Sequence, residues 1–575
     1  MKKDISKYCS RILLLGVFVF LVHGAKLNSP IIGIDTEDII RLQGDFYTGW
    51  RQSGRQGLIL SKLLLGTFEF NPYFAGLMTL LFFGGAVWAF LRLWDNVWEA
   101  ADPAGAGCSR SESGSLLPWG WLAAGFLWIS HPVMTEQLYF SLQSLEICAG
   151  LLLTALSLYL ARRGVEEGRK SCVSACFFLL LVIFSMYQVF VVVYVFGVLS
   201  MLVLKFAGEL KLWGTDQRTT CGAGGGTGLK SAEGAVESGG KLSLSAGMWK
   251  AVFQHGALFL AAFGVNMIIT GAFFNAGSGY LSGQIQWGCV SPKEGIFRIL
   301  DHGFRVCTGW NSLYYNAGFG LLCLAAAWLA LRAVMRLERS RRMAGVLWLL
   351  LLAALLSTPF WMTFLCAGAP VVRSQLVLPA VTGFLAYFVF KMSRQAGLAG
   401  RSGGSRKAPV GGRRLWKALG AVILTLVIWS QVQTTLRLYY TDECRYQQDA
   451  ALGRELITAA KRLEGSADSA IAGNMGLVVV GSRPFSPNNA CVAGETIGHS
   501  FFDFDTEVEP ECYWSTRRVV GFLHTLGYDI GHASRENCEK AVEDSSGRPC
   551  WPQEGSVWRM GDVIVVKLSE CRSFF

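Results

Sequence analysis

Residues 173–204 read VSACFFLLLVIFSMYQVFVVVYVFGVLSMLVL, a run without one charged side chain that ends at Lys205. A helix crosses the ~30 Å hydrocarbon layer with about 20 residues, and it must be a helix because no water is present there to satisfy backbone polar groups. The run is too long for one crossing and fits two, and Tyr187-Gln188 breaks it where the chain would turn. Composition extends this reading to the whole molecule: 52% of the residues are hydrophobic and only 16% charged, against about 25% charged in soluble domains.

Working outward, apolar runs occupy residues 12–24, 73–93, 117–131, 145–161, 173–185, 188–205, 251–271, 316–335, 343–362, 376–391 and 416–433. The expected fold is a polytopic α-helical membrane protein of about eleven transmembrane helices. Lys2, Lys3, Lys7 and Arg11, then Arg162, Arg163, Arg169 and Lys170, then Arg336, Arg339, Arg341 and Arg342, and last the stretch Lys391 to Lys417 fall in alternate loops. The positive-inside rule makes those loops cytoplasmic and places segments 25–72, 272–315, 363–375 and the tail outside. An odd number of crossings agrees with an N-terminus in the cytoplasm and a tail outside the cell membrane. The net charge of +11 would suggest nucleic acid in a soluble protein; distributed this way it sets orientation, and no nucleic-acid partner is expected.

The short first run behind a lysine-rich start also fits a cleavable signal peptide, although Val22-His23-Gly24-Ala25 is a poor cleavage site. Either reading leaves the following loop outside. Residues 214–247 and 395–413 are rich in Gly and Ser and read as flexible stretches within linkers 206–250 and 392–415. The run Cys221 to Gly228 lacks the preceding strand and correctly spaced lysine of a phosphate-binding loop. From residue 434 the pattern changes to a polar amphipathic helix at 443–464, strands at 469–472, 476–480 and 563–568, and a helix at 515–526. These make a small extracytoplasmic α/β domain, 434–575, behind a transmembrane domain, 1–433. Of the 16 cysteines, Cys289, Cys307, Cys444, Cys491, Cys512, Cys538, Cys550 and Cys571 fall outside, where disulfides are expected without any pairing being readable.

The first outer loop carries the chemistry-bearing residues: Asp35, Glu37, Asp38 and Arg41, followed by Trp50 and Arg55. A carboxylate there could take a proton from a hydroxyl, and Arg41 or Arg55 could grip a phosphate; ordinary surface ion pairs are the plainer reading. Glu136, Gln143, Tyr187 and Gln188 converge on the same face, and Arg373 is a lone cation between two late apolar runs. Polar groups near membrane depth are costly and suggest function, whereas interfacial anchoring explains some of them equally well.

Glu37-Asp38 with Arg41, Gly44, Trp50 and Gly54-Arg55 behind a short first span, then Asn71-Pro72, Glu136, Gln143-Ser144, Tyr187-Gln188, Arg373 and Tyr446-Gln447-Gln448-Asp449, in that order, resembles the serotype-converting bacterial glucosyltransferases, Gtr type II. The family usually shows two aspartates where this chain has Glu37-Asp38. The resemblance implies a GT-C type membrane glycosyltransferase that moves a hexose, glucose in the family's case, from a polyprenyl-phosphate sugar to a cell-surface glycan outside the membrane, with no nucleotide sugar. It implies Asp38, Glu37 or Asp35 as the catalytic base, Arg41, Arg55 and Arg373 as ligands of the donor phosphate, and Trp50, Glu136, Gln143, Tyr187 and Gln188 as substrate-binding residues. No cofactor is demanded; the acidic loop could take a divalent metal, but no spacing requires one. A transporter or flippase of lipid-linked glycans is the rival, against which stand the lack of an internal repeat and of midplane charges. An anchored structural or sensory protein is a third reading.

Overall fold

Helices dominate because apolar residues surround them on every side, leaving lipid and neighbouring helices to cover what a soluble helix turns to water. The computed structural model describes residues 2–28, 31–101, 119–212, 239–274, 285–402, 410–463, 475–504 and 514–570. Among these, seven helices are long and apolar enough to cross a membrane: Pro72–Ala101, Ser144–Glu166, Phe190–Glu209, Ala246–Phe273, Ala317–Met335, Arg339–Cys366 and Ala418–Leu463. Lys2–His23, Trp119–Ile129, Lys170–Met186 and Val377–Ser402 coincide with the other expected crossings and hold 22, 11, 17 and 26 residues. At 1.5 Å per residue Trp119–Ile129 and Lys170–Met186 reach about 17–26 Å, short of the hydrocarbon thickness without help from flanking residues. The apolar helices share one continuous core in which Phe83, Phe90, Trp94, Trp128, Phe196, Trp348 and Phe384 are fully enclosed.

The long run that opened the sequence forms two helices as expected, Lys170–Met186 and Phe190–Glu209, with Tyr187 extended between them. The expected loop 25–72 is itself structured, with helices Thr36–Arg41, Gln43–Gln52 and Gln56–Leu65. The expected loop 272–315 contains a helix, Pro292–Thr308. Its start and stop are local chemistry: the Ser291 hydroxyl accepts from the Glu294 N–H, Pro292 supplies a preset φ, and Gly309 closes the end at φ 72°. Ile296, Phe297, Leu300 and Phe304 stay exposed along it.

The expected last span and the expected amphipathic helix at 443–464 are one helix, Val410–Leu463, of 54 residues. Such a rod is about 80 Å long, so it crosses the bundle and projects well beyond it. Against its projecting part lies a four-stranded sheet, with β1 Gly476–Val480, β2 Gly531–His532, β3 Val557–Met560 and β4 Val563–Lys567 in the order β2-β1-β4-β3. β1 runs parallel to β2 and β4, and β3 is antiparallel to β4. The all-apolar Leu477–Val480 and Val563–Val566 suit central strands covered on both faces. Buried Lys567 is satisfied by the carbonyls of Ser545 and Arg548 and by Glu570. The helix Trp514–Thr525 matches the expected one, β2 and β3 were not expected, and the expected strand at 469–472 lies outside the described residues. Residues 213–238 of the first linker, 403–409 of the second, and the cysteines Cys512 and Cys571 also lie outside them, while 239–250, 392–402 and 410–415, expected as linker, are helical.

Candidate active site

Asp35 takes a left-handed conformation, φ 71°, and from that kink the short helix Thr36–Arg41 turns its acidic first turn under the tail helix Trp514–Thr525. Glu37 is 0% and Asp38 4% exposed. Two adjacent arginines of the tail helix meet them. Arg518 bonds Glu37 closely, lies 2.8 Å from Asp35 Oδ1 and 3.6 Å from Asp38 Oδ2, and Arg517 donates to Asp38 Oδ2 at 3.2 Å. The approach is possible because position 521 is glycine: a Cβ there would stand 2.8 Å from Glu37 Cγ. Arg41 bonds the His532 ring at the end of β2. The acidic loop is therefore neither a solvated surface nor an open site but an ion-pair cluster between bundle and sheet.

Its polar accounting is incomplete at several atoms, Thr36 Oγ1 and His532 Nδ1 among them. Glu37 Oε2 and Asp38 Oδ1 are buried with no hydrogen-bond partner among the described residues. Such oxygens are rare in folded proteins and call for an explanation. Burial pushes the Glu37 carboxyl up to about 8, with Arg518 opposing and Asp38 and Asp35 adding to the rise. Burial likewise holds His532 down at about 4, helped by neighbouring Arg41 and Arg517, so that it is neutral near pH 7 and can accept from Arg41.

The segment before the acidic helix is fixed independently. Arg445 on the rod, fully buried, donates to the Ile32 carbonyl at 3.1 Å while holding Asp442 at 2.8 Å and Asp449 at 3.2 Å. Asp449 in turn accepts from the Ser500 hydroxyl and the Phe501 N–H. Gly33 lies against the ring of Tyr139, leaving no space for a side chain.

Glu136, one turn before Tyr139, has the opposite setting. It accepts from the Tyr314 hydroxyl, from the Glu495 N–H at 2.8 Å, from the Thr496 N–H at 3.2 Å and from the Thr496 hydroxyl. Arg373 lies over the Phe140 ring and 3.9 Å from Glu495. The Glu495 carboxyl is raised by burial, with Arg373 opposing. A cavity of about 490 Å³ adjoins this group, lined by Arg298, Asp301, His302, Arg305 and residues 368–371.

The other expected residues form two further groups. Arg55 stacks over Tyr187, and Gln188 donates to the Ser53 carbonyl at 3.0 Å. Trp50 is buried among Phe46, Tyr47 and the Lys62 ammonium, and Lys62 pairs with Glu146 at 3.0 Å. Gln143 precedes the helix Ser144–Glu166 and is buried. The structure thus unites Asp35, Glu37 and Asp38, joins Arg55 to Tyr187 with Gln188 close by, and seats Glu136 and Arg373 around Glu495. Sequence reasoning missed Arg517, Arg518, His532, Arg445 and Lys62. The available signals were the spacing Asp442, Arg445, Asp449 on one helix face and the pair Arg517-Arg518 in an otherwise amphipathic helix. Among the described residues no three His, Cys, Asp or Glu side chains are arranged to hold a metal ion.

Fold and site define a polytopic membrane protein whose acidic and arginine side chains gather at one end of the helical bundle. The family model described as Glucosyl transferase GtrII matches residues 24–390, 367 of the 575 residues, and the chain belongs to that family. It is a membrane glycosyltransferase. No curated protein and no solved structure matches it. The family match covers the acidic loop, Glu136, Tyr187 and Arg373, and ends before the rod and the sheet, so Arg517 and Arg518 lie beyond it.

Proposed function

We propose that this chain transfers a hexose, glucose in the first instance, from a polyprenyl-phosphate donor to a cell-surface glycan at the outer face of the cytoplasmic membrane, as a GT-C type enzyme. The observation that supports it is the pair of partnerless carboxylate oxygens in the acidic loop, Glu37 Oε2 and Asp38 Oδ1. An acceptor hydroxyl is the hydrogen-bond donor that Asp38 Oδ1 lacks.

In this reading Glu37 keeps its proton near neutral pH, which leaves the base role to Asp38, with Asp35 more exposed and turned to Arg518. Asp38 Oδ1 accepts the acceptor's proton as the hydroxyl oxygen attacks the anomeric carbon. The bond from that carbon to the phosphate oxygen breaks, and its electron pair leaves with the polyprenyl phosphate. Arg41, Arg55 and Arg373 neutralise the departing phosphate. Tyr187, Gln188, Trp50 and Gln143 contribute to the sugar site. Substrate reaches Asp38 only when the tail helix moves aside, and a donor phosphate competing for Arg517 would favour that movement.

The same proposal divides the chain at about residue 433, gives the bundle eleven crossings with Lys2–His23, Trp119–Ile129, Lys170–Met186 and Val377–Ser402 included, and places the sheet outside. Exposed Ile296, Phe297, Leu300 and Phe304 then rest on the outer leaflet, since an apolar stripe on a helix tied between two crossings is covered by lipid.

Two measurements test the reading. In membrane vesicles holding the full chain, radiolabel should pass from polyprenyl-phosphate glucose to surface glycan; absence of transfer across a panel of lipid-linked sugars, with passage of lipid-linked glycan across the bilayer, would establish a transporter instead. In intact cells a membrane-impermeant maleimide should modify exposed Cys289 and spare exposed Cys9 until the membrane is opened. The reverse pattern would refute the orientation.

A further inference from the structure

Segment 486–492 runs alongside the projecting part of the rod and is tied to it at several points. Gln448 Nε2 donates to the Ser486 carbonyl at 3.0 Å, and Asn488 Nδ2 donates to the Tyr440 hydroxyl at 3.3 Å. Arg437 Nε donates to the Ala490 carbonyl at 3.2 Å, and the Val492 N–H donates to Thr441 Oγ1 at 2.8 Å. Cys491 sits between the last two ties, and Asn488 Oδ1, accepting from the N–H groups of Ala490 and Cys491, fixes the turn that presents it. On the rod, Cys444 follows Tyr440 and Thr441 by about one turn, on the same face. The two thiols meet side chain to side chain, and both residues are half-buried. A disulfide needs facing Cβ atoms and Cα atoms within about 4.4–6.8 Å. The ties on either side of Cys491 hold its backbone beside the rod and keep the two thiols in contact.

We propose that Cys444 and Cys491 form a disulfide that fastens segment 486–496 to the rod. The oxidant is an organic disulfide, small or borne by an oxidoreductase. One cysteine thiolate attacks it, giving a mixed disulfide and releasing the first thiol; the second thiolate then displaces the remaining half. Two protons and two electrons leave the pair and appear as two thiols on the oxidant. The bond has a structural consequence four residues on, where Glu495 and Thr496 supply the donors that saturate Glu136. Fastening residue 491 holds that cap in place and limits how far Glu495 can leave Arg373. The pairing does not depend on the proposed reaction; its persistence in the cell rests on the proposed outer placement of the tail, in a non-reducing compartment.

The test uses the purified full chain equilibrated over a range of reduced and oxidised glutathione, alkylated, digested without reductant and read by mass spectrometry. A peptide joining residues 444 and 491 should grow with oxidation, and amide exchange over residues 492–496 should slow alongside it. In Cys491→Ser the joined peptide should vanish and oxidation should no longer slow exchange. Alkylation of both Cys444 and Cys491 across the whole range, or either of them joined to a different cysteine, would overturn the proposal. Because the wild-type peptide map decides it, a variant that fails to fold would leave the test intact.

Discussion

Glu136 and Asp38 are both carboxylates withdrawn from water at the same end of the bundle, and they differ in what surrounds their oxygens. Glu136 is met by two backbone N–H groups and two hydroxyls, so both oxygens are occupied by the protein. Asp38 has Arg517 on one oxygen and, among the described residues, no partner on the other, and Glu37 beside it repeats the pattern with Arg518. A buried carboxylate with all its bonds made rigidifies a joint, whereas one with an oxygen left over retains capacity for a ligand or a proton. Burial and acidity alone do not separate the two roles.

The comparison can be broken first at the arginine clasp. Arg518→Gln should cost about 3–5 kcal/mol, since it removes the cation shared by Asp38 and Asp35 and the donor to buried Glu37. Combining it with Asp38→Asn should recover part of that loss, a coupling measurable by thermal or denaturant unfolding in detergent. Additive losses would mean that the clasp is incidental.

Glu136→Gln should cost about 2 kcal/mol, because the amide nitrogen presents a donor to donors, and the effect should fall on stability and leave the turnover of the folded protein near wild type. A collapse of turnover in fully folded protein would move Glu136 into the substrate site.

A third way to sharpen the comparison is the pH dependence of stability. The folded chain holds the Glu37 proton up to about pH 8, while an unfolded glutamate releases it near 4.5. The contribution of this group is therefore complete below about 4.5 and lost as pH rises through 8. Glu37→Gln should flatten that part of the stability curve; an unchanged slope would show that the carboxyl does not titrate there.

The membrane character was legible because the hydrocarbon layer imposes one strict rule on long apolar runs, and the paired helices at Lys170–Met186 and Phe190–Glu209 follow it. The acidic helix was legible as a candidate because Asp35, Glu37 and Asp38 crowd into four positions. What covers it was not, since Arg517 and Arg518 stand 479 and 481 positions from their partners Asp38 and Glu37 and no local pattern encodes that distance. Glu136 misled for the same reason, its donors lying 178 to 360 positions away. The rod was read as two helices because its composition shifts from apolar to amphipathic near residue 434, although no glycine or proline breaks Ala421–Ala451. The helix Pro292–Thr308 was readable from Ser291-Pro292 and Gly309 and was passed over as loop.

The most direct measurement of the difference between the two carboxylates is sugar transfer by Asp38→Asn and Glu136→Gln in the same vesicles, each rate divided by the amount of folded protein. Loss of a general base costs about 10²–10⁴ in rate, so the account predicts that Asp38→Asn falls at least a hundredfold below Glu136→Gln. Equal rates, or an Asp38→Asn enzyme as fast as wild type, would contradict it.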